Sequence, residues 1–157
     1  MQQLLELGNG AHALALQMLG NTDDATDVVQ DAIVKTLRRP GGYDERSGPL
    51  APWFLRVVRN ACIDLIRRRR SVDPDTARLS DQGPGPEEVL ELSQRDEQLQ
   101  SALARLTDEQ RQIIVLRDYM DLSYAEIADV LDIPQGTVMS KLHRSRTALR
   151  EELSSHE

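Results

Sequence analysis

Several scarcities bound what this chain can be. It has one cysteine, Cys62, which excludes an internal disulfide and fits a reducing cytoplasm. Its three histidines, His12, His143 and His156, are far apart and lack ligand spacing, so neither a metal site nor a cofactor is expected. Aromatic residues make up only 3% of the chain, so its cores must be built from aliphatic side chains and alanine. No apolar run is long enough to cross a bilayer, and no basic segment followed by an apolar core opens the chain. Membrane insertion and export are therefore not expected, and the cytoplasm is the predicted location. There is no Ser/His/Asp set, no pair of carboxylates in an apolar setting and no Gly-rich phosphate loop. Nothing here predicts an enzyme.

At 157 residues the chain is long enough for one domain or two small ones, and its charge divides it. The net charge is −7, but residues 1–72 hold ten basic and eight acidic side chains. Residues 73–98 hold two basic and eight acidic ones, and residues 99–157 hold seven and ten. The middle segment thus carries −6 of the total, leaving flanks on which local basic patches can meet nucleic acid. Ser71 to Glu88 is rich in Pro, Gly, Ser and Asp and has no apolar period, which reads as a linker. Its roughly 18 residues would reach about 60 Å when extended.

The most informative stretch is Ser123 to Arg150, SYAEIADVLDIPQGTVMSKLHRSRTALR. Ser123 and Glu126 form a capping box that starts a helix at about Tyr124, carried by Ile127, Val130 and Leu131. Ala128 is small enough for a second helix to approach closely. Asp132, Ile133 and Pro134 interrupt, and proline suits the first turn of a new helix. That helix turns Val138, Leu142 and Leu149 inward and leaves Gln135, Thr137, Ser140, Lys141, Arg144 and Arg146 largely outward, with small Gly136 and Thr137 at its entrance. A short helix, a tight turn and a helix with donors near its start make a helix-turn-helix. Its second helix fits the DNA major groove. A plain packed helical hairpin is the competing reading.

The N-terminal half is helical as well. Met1 to Gly20 predicts a helix ended by Gly20, and Asn21 or Thr22 caps the next, over Asp23–Arg39. Ala25, Val28, Val29, Ala32, Ile33 and Leu37 form its expected inward stripe. Asp27, Gln30 and Asp31 share an outer face, either solvated surface or a docking site for a basic partner. Pro40 to Pro52 reads as a loop. A helix over about Trp53 to Arg70 follows, apolar through Phe54, Val57, Val58, Ala61 and Leu65, with Leu55, Cys62 and Ile66 beside them. Arg56, Asn60, Asp64 and Arg67 share its polar face, and four consecutive arginines, Arg67 to Arg70, end it. Such a face suits nucleic acid, with arginines for phosphates and Asn and Asp for base edges. Val89 to Leu106 predicts a further helix on Leu92, Leu99, Leu103 and Leu106. Thr107 and Gln110 then cap one running to about Met120.

These motifs, in this order, resemble the group 4, or extracytoplasmic-function, sigma factors of bacterial RNA polymerase. Asp24-Ala25-Thr26-Asp27-Val28-Val29-Gln30-Asp31 is similar to the family's D-A-x-D-x-x-Q-[ED] segment. The run from Trp53 to Asp64 resembles its W-[LF]-x-x-[IV]-[AV]-R-N-x-x-x-D helix, and Leu106 to Met120 with Ser123 to Arg146 resembles region 4. The resemblance implies an all-α fold of two small helical domains joined by a flexible acidic linker. A region 2 bundle of three-helix type would occupy residues 1–72, the linker 73–90, and a four-helix region 4 with its helix-turn-helix 91–157. It also implies core RNA polymerase, through its β′ clamp helices and β flap, promoter DNA and an anti-sigma factor as partners.

By the same resemblance, Asp27, Gln30 and Asp31 face the clamp helices, while Arg56, Asn60, Asp64 and Arg67 contact the −10 element. Gln135, Gly136, Thr137, Ser140, Lys141 and Arg144 read the −35 element. The Pro40–Pro52 loop helps hold a flipped base, and the acidic linker mimics nucleic acid near the RNA exit path. The sequence departs from the pattern at Met139, where a basic residue is frequent, and at Asp132, where a turn glycine is frequent. Two other readings remain: a sigma-like decoy that binds an anti-sigma factor without touching DNA, and a dimeric helix-turn-helix repressor.

Overall fold

The structure is a computed structural model that describes residues 2–38, 49–72 and 94–155. Residues 40–48 of the expected loop and the acidic linker lie outside these residues. Among those described, seven α-helices and one π-helical stretch occur and no strand. The first three helices are α1 (Gln2–Leu19), α2 (Thr22–Arg38) and α3 (Leu50–Val72). The second half has α4 (Gln94–Ala104), α5 (Asp108–Ile114), a π-helical continuation (Val115–Tyr119), α6 (Tyr124–Leu131) and α7 (Gln135–Ser154).

The α1–α2 corner follows from three residues. Gly20 adopts φ 72°, a left-handed conformation that glycine takes without a Cβ clash, and its N–H reaches the Leu16 carbonyl at 2.8 Å. Asn21 then accepts the Asp24 N–H on its side-chain oxygen at 3.1 Å, capping α2. Asp23 and Asp24 in the first turn of α2, and Lys35 and Arg38 in its last, complement the helix dipole. Ala11 and Ala15 on α1 and Ala25 and Ala32 on α2 are buried, and such small residues let two helices pack closely. Leu37, expected inward, is 51% exposed: it lies one turn beyond Ile33, where α2 has run past the part of the bundle that covers it.

Helix α3 starts at Leu50, three residues before the sequence suggests. Pro52 sits buried in its first turn, where a missing N–H costs nothing because no acceptor precedes it, so this proline begins the helix and does not close the loop. Phe54, Leu55, Val58 and Cys62 are fully buried in the core with Leu14 and Leu19 of α1. The far end of α3 is tied to the start of α2 by Arg69, which donates to Asp24 at 2.6 Å.

In the second half two reciprocal capping boxes set the helix starts. The Gln110 N–H donates to Thr107 Oγ1 at 3.3 Å and the Thr107 N–H to Gln110 Oε1 at 3.0 Å. Likewise the Glu126 N–H donates to Ser123 Oγ at 3.1 Å and the Ser123 N–H to Glu126 Oε1 at 2.9 Å. Buried Arg111 donates to the Leu106 carbonyl at 2.7 Å, closing the end of the preceding segment, and pairs with Asp108. Of the apolar residues predicted for α4, Leu103 is buried but Leu99 is 37% exposed, and Leu92 lies outside the described residues.

The helix expected to run to Met120 widens instead after Ile114 into the π-helical stretch, where the Met120 N–H reaches the Val115 carbonyl at 3.0 Å. This re-aims Met120 toward α1, where it lies on Gly10 so closely that a Cβ there would overlap its Sδ and Cε. The two halves share one apolar cluster, running from Leu4 and Leu14 through Phe54 and Val58 to Ile113, Ile127 and Leu142. Helix α3 packs on α6, and α1 on α5 and the π-helical stretch.

Candidate nucleic-acid interface

The helix-turn-helix forms as its sequence dictates. Helix α6 ends at Asp132 in the left-handed conformation (φ 56°, ψ 51°), which Asp tolerates better than most residues although glycine suits it best. The Ile133 N–H returns to the Ala128 carbonyl at 3.1 Å, and Pro134 leads into α7. Ile127, Val130, Val138 and Leu142 lock the two helices together at 1% exposure or less. Ser145, which apolar periodicity alone could not flag, is buried with its hydroxyl donating to the Lys141 carbonyl at 2.7 Å.

The outer face of α7 carries the residues expected to read DNA. Gln135, Gly136, Ser140 and Arg144 are exposed, while Thr137 and Lys141 are half-buried. A Cβ on Gly136 would meet nothing within 4 Å, so the start of the helix is open to a close approach. No side chain caps that start, and its first turn carries no acidic residue. The Thr137 N–H is taken by the Pro134 carbonyl at 3.0 Å, and the N–H groups of Gln135 and Gly136 stand at the positive end of the helix dipole, which suits a phosphate. Lys141 is held by Glu109 at 3.2 Å, so among the described residues it is the member of this set with a carboxylate on it. Arg146, also expected outward, is braced by Asp118, with Nε donating at 3.2 Å. That hydrogen bond, more than the remaining charge on Asp118, raises the pKa of its guanidinium.

A second polar face lies on α3. Arg56, Asn60, Asp64 and Arg67 are all exposed and fall along one side of the helix. Arg68 and Arg70 are exposed too, whereas Arg69 is half-buried on Asp24, so the four arginines divide into three outward and one that braces the bundle. Sequence reasoning treated them alike, and the sole clue was an acidic residue opening the neighbouring helix. It also passed over Arg59, whose Nε donates to Gln112 Oε1 at 2.8 Å across the two halves. Burial lowers the pKa of Arg59, against the opposing pull of Glu109 and Asp132. Arg56 leans on Asp132 of the helix-turn-helix at 3.6 Å, which brings the α3 face beside the turn before α7.

The third surface is on α2, where Asp27, Gln30 and Asp31 are exposed as expected. Val34 (41% exposed) and Leu37 (51%) continue it, giving an acidic patch with an apolar extension. Asp31 and Lys35 pair at 3.0 Å, but both are well exposed and such a pair contributes little. Among the described residues no group of His, Cys, Asp and Glu could hold a metal, and no helix is long and apolar enough to cross a membrane. Cys62 is fully buried, and burial pushes its thiol up to about 12, out of reach of nucleophilic chemistry.

The Sigma-70 region 2 model matches residues 5–72 and the Sigma-70 region 4 model residues 96–149. The ECF RNA polymerase sigma factor SigW of Bacillus subtilis is 30% identical over 154 residues, spanning 90% of this chain and 82% of that protein. The chain belongs to the ECF sigma-factor family. SigE of Mycolicibacterium smegmatis, another ECF factor, is 34% identical over 150 residues, and this chain spans 58% of its length. Among solved structures, this ECF factor is similar to the sigma factor RpoE in complex with the anti-sigma factor NepR from Bartonella quintana. That match has a TM-score of 0.77 at 25% identity and covers 98% of this chain and 95% of the other. It is also similar to CnrH in complex with the cytosolic domain of CnrY, with a TM-score of 0.69 at 25% identity over 99% and 88% of the two chains. The all-α fold of region 2 and region 4 domains expected from the sequence is thus that of the ECF factor.

Proposed function

We propose that the protein directs promoter-specific initiation by bacterial RNA polymerase, binding the core enzyme, a −35 element and a −10 element. The observation that carries this reading is that two separate helices, α3 and α7, each present an exposed stripe of hydrogen-bonding and basic side chains. On α7, exposed Gln135, Ser140 and Arg144, with half-buried Thr137 and Lys141 between them, follow an open, uncapped helix start. Gln and Arg there can contact base edges in the major groove, and the N–H groups of Gln135 and Gly136 a phosphate. On α3, Arg56, Asn60, Asp64 and Arg67 suit the unstacked bases and backbone of a melted −10 strand. The acidic α2 face with Val34 and Leu37 suits a basic and apolar helical partner, here the β′ clamp helices. The β flap would take the region 4 half. One structural neighbour is a sigma factor in complex with an anti-sigma factor, which supports an anti-sigma partner for this chain as well. The protein contributes no bond-making chemistry; the polymerase does that, with cytoplasm as the place of work.

The decoy reading is disfavoured by the same stripes, because a protein that never meets DNA has no use for exposed Asn60, Arg144 and an open Gly136. The test separates the two faces. A duplex carrying a two-part site is first selected from randomised DNA with holoenzyme assembled from core polymerase and this chain. Replacing Arg144 with Ala then weakens binding to the upstream part by roughly 1–3 kcal/mol if it reads a base, or lowers the salt slope by about one if it meets a phosphate. Replacing Asn60 with Ala leaves upstream binding intact and reduces strand opening, read by permanganate reactivity of unpaired thymines. Normal opening in the Asn60 variant removes the −10 assignment.

A further inference from the structure

One apolar side chain stands among the polar residues on the outer side of α7. Met139 is 61% exposed. It follows Gln135 by four residues and precedes His143 by four, so these three exposed side chains share one side of the helix. Exposed Ser140 is its chain neighbour, and exposed Arg144 lies one turn beyond Ser140. Val138 and Leu142, no more than 1% exposed, fix the rotation of α7 about its axis. At about 3.6 residues per turn, Met139 and Lys141 then fall on opposite flanks of that buried stripe. Lys141 has Glu109 as a partner, whereas a thioether is a weak acceptor that gains little from water. Beside Met139 lies an open groove of about 550 Å³, lined by Leu142, Leu149, His143, Arg146 and Arg150. Among the described residues no carboxylate lines it, although Arg146 is already paired with Asp118. The flank that holds Met139 is therefore apolar and cationic, and it continues the open start of α7.

We propose that Met139 is a specificity-determining residue for the upstream promoter element, packing against the C5-methyl group of a thymine. The inference rests on the promoter-binding function proposed above and names one base that it leaves open. The major groove is about 12 Å wide and a helix with its side chains about 10–12 Å across, so residues on the flanks of α7 reach base edges too. Of the four bases, only thymine presents an apolar group there. Methionine is unbranched, with three rotatable bonds and a polarisable sulfur, so it can follow such a methyl group closely. The contact takes both groups out of water, and burying a group of that size changes an equilibrium about fourfold. The neighbouring polar side chains cannot make this distinction. Gln135 and Arg144 read donors and acceptors, which thymine and uracil share, and a phosphate contact carries no sequence information. The rival on the same helix is the methyl group of Thr137, which is half-buried.

Replacing thymine by uracil deletes the methyl group and keeps every hydrogen-bonding group of the base, so this analogue isolates the contact. Holoenzyme assembled from core polymerase and the full chain first selects an upstream element from randomised duplex DNA. Each thymine of that element, on either strand, is then replaced singly by uracil, and binding is measured at one fixed salt concentration. The parent is expected to bind one of these duplexes about fourfold more weakly than the thymine duplex. Met139→Ala binds the thymine duplex about fourfold more weakly than the parent does and no longer distinguishes thymine from uracil at that position. Met139→Leu, which keeps an apolar side chain, keeps the preference. Both substitutions fall outside the core, so neither is expected to disturb folding. A parent indifferent to uracil at every position, or a selected upstream element without an A·T pair, overturns the inference. So does a thymine preference that survives in Met139→Ala, which would pass the methyl contact to Thr137. In each of those cases the promoter-binding function stands. Failure of the holoenzyme to enrich any upstream element overturns that function, and this inference with it.

Discussion

At the scale of single residues, several side chains whose types suggest activity turn out to be structural, and their partners decide it. Cys62 is a thiol walled in by Phe54, Val58 and the rest of the core, and burial holds its pKa at about 12. An unfolded cysteine titrates near 8.5. Between those values the unfolded chain has lost a proton that the folded chain retains. The stabilisation from this group is therefore complete below about pH 8.5 and is lost as pH rises toward 12. The expected result is that a thiol reagent at about pH 8 fails to label the native chain and labels it fully in denaturant. Rapid labelling of the native chain contradicts the packing described. Arg69 is a similar case: its residue type says phosphate, but its position on Asp24 makes it a brace between α3 and α2. Sequence periodicity could assign Arg56, Asn60, Asp64 and Arg67 to one face because that depends on spacing alone. It could not separate Arg69 from its neighbours, because that depends on which helix lies alongside.

At the scale of elements, the starts of helices were more legible than their ends. Both capping boxes, Thr107 with Gln110 and Ser123 with Glu126, are local patterns within four residues, and both form as the spacing predicts. Replacing Ser123 with Ala removes the hydroxyl that accepts the Glu126 N–H and should cost about 1 kcal/mol. For a chain of this size that lowers the melting temperature by roughly 2–4 °C, readable by thermal circular dichroism. An unchanged melting temperature would mean that the cap contributes nothing. The early start of α3 was missed because Pro52 reads as loop punctuation in a Gly- and Pro-rich run, yet proline is equally at home in a first helical turn. The π-helical stretch carries no local signature at all. Its sequence, VLRDY, suits an ordinary helix, and the widening shows only in the placement of Met120 against Gly10, a partner far away in the chain.

At the scale of the whole molecule, two helical halves and an acidic segment were readable from composition and motif order, whereas their contact was not. Arg59 with Gln112 and Gly10 with Met120 are pairs from opposite halves, and no spacing rule links them. The net charge of −7 is compatible with DNA binding because the acidic excess is concentrated in residues 73–98, a part of the sequence that includes neither α3 nor α7. On the proposed function, this ECF factor confers promoter choice on a polymerase that lacks it. The decisive measurement is transcription by purified bacterial core polymerase on a pool of genomic fragments from the same organism, with and without the protein. New transcripts are expected only when the protein is present, all starting downstream of one shared two-part sequence. An active core enzyme that yields no new starts with the folded protein would contradict the proposed function.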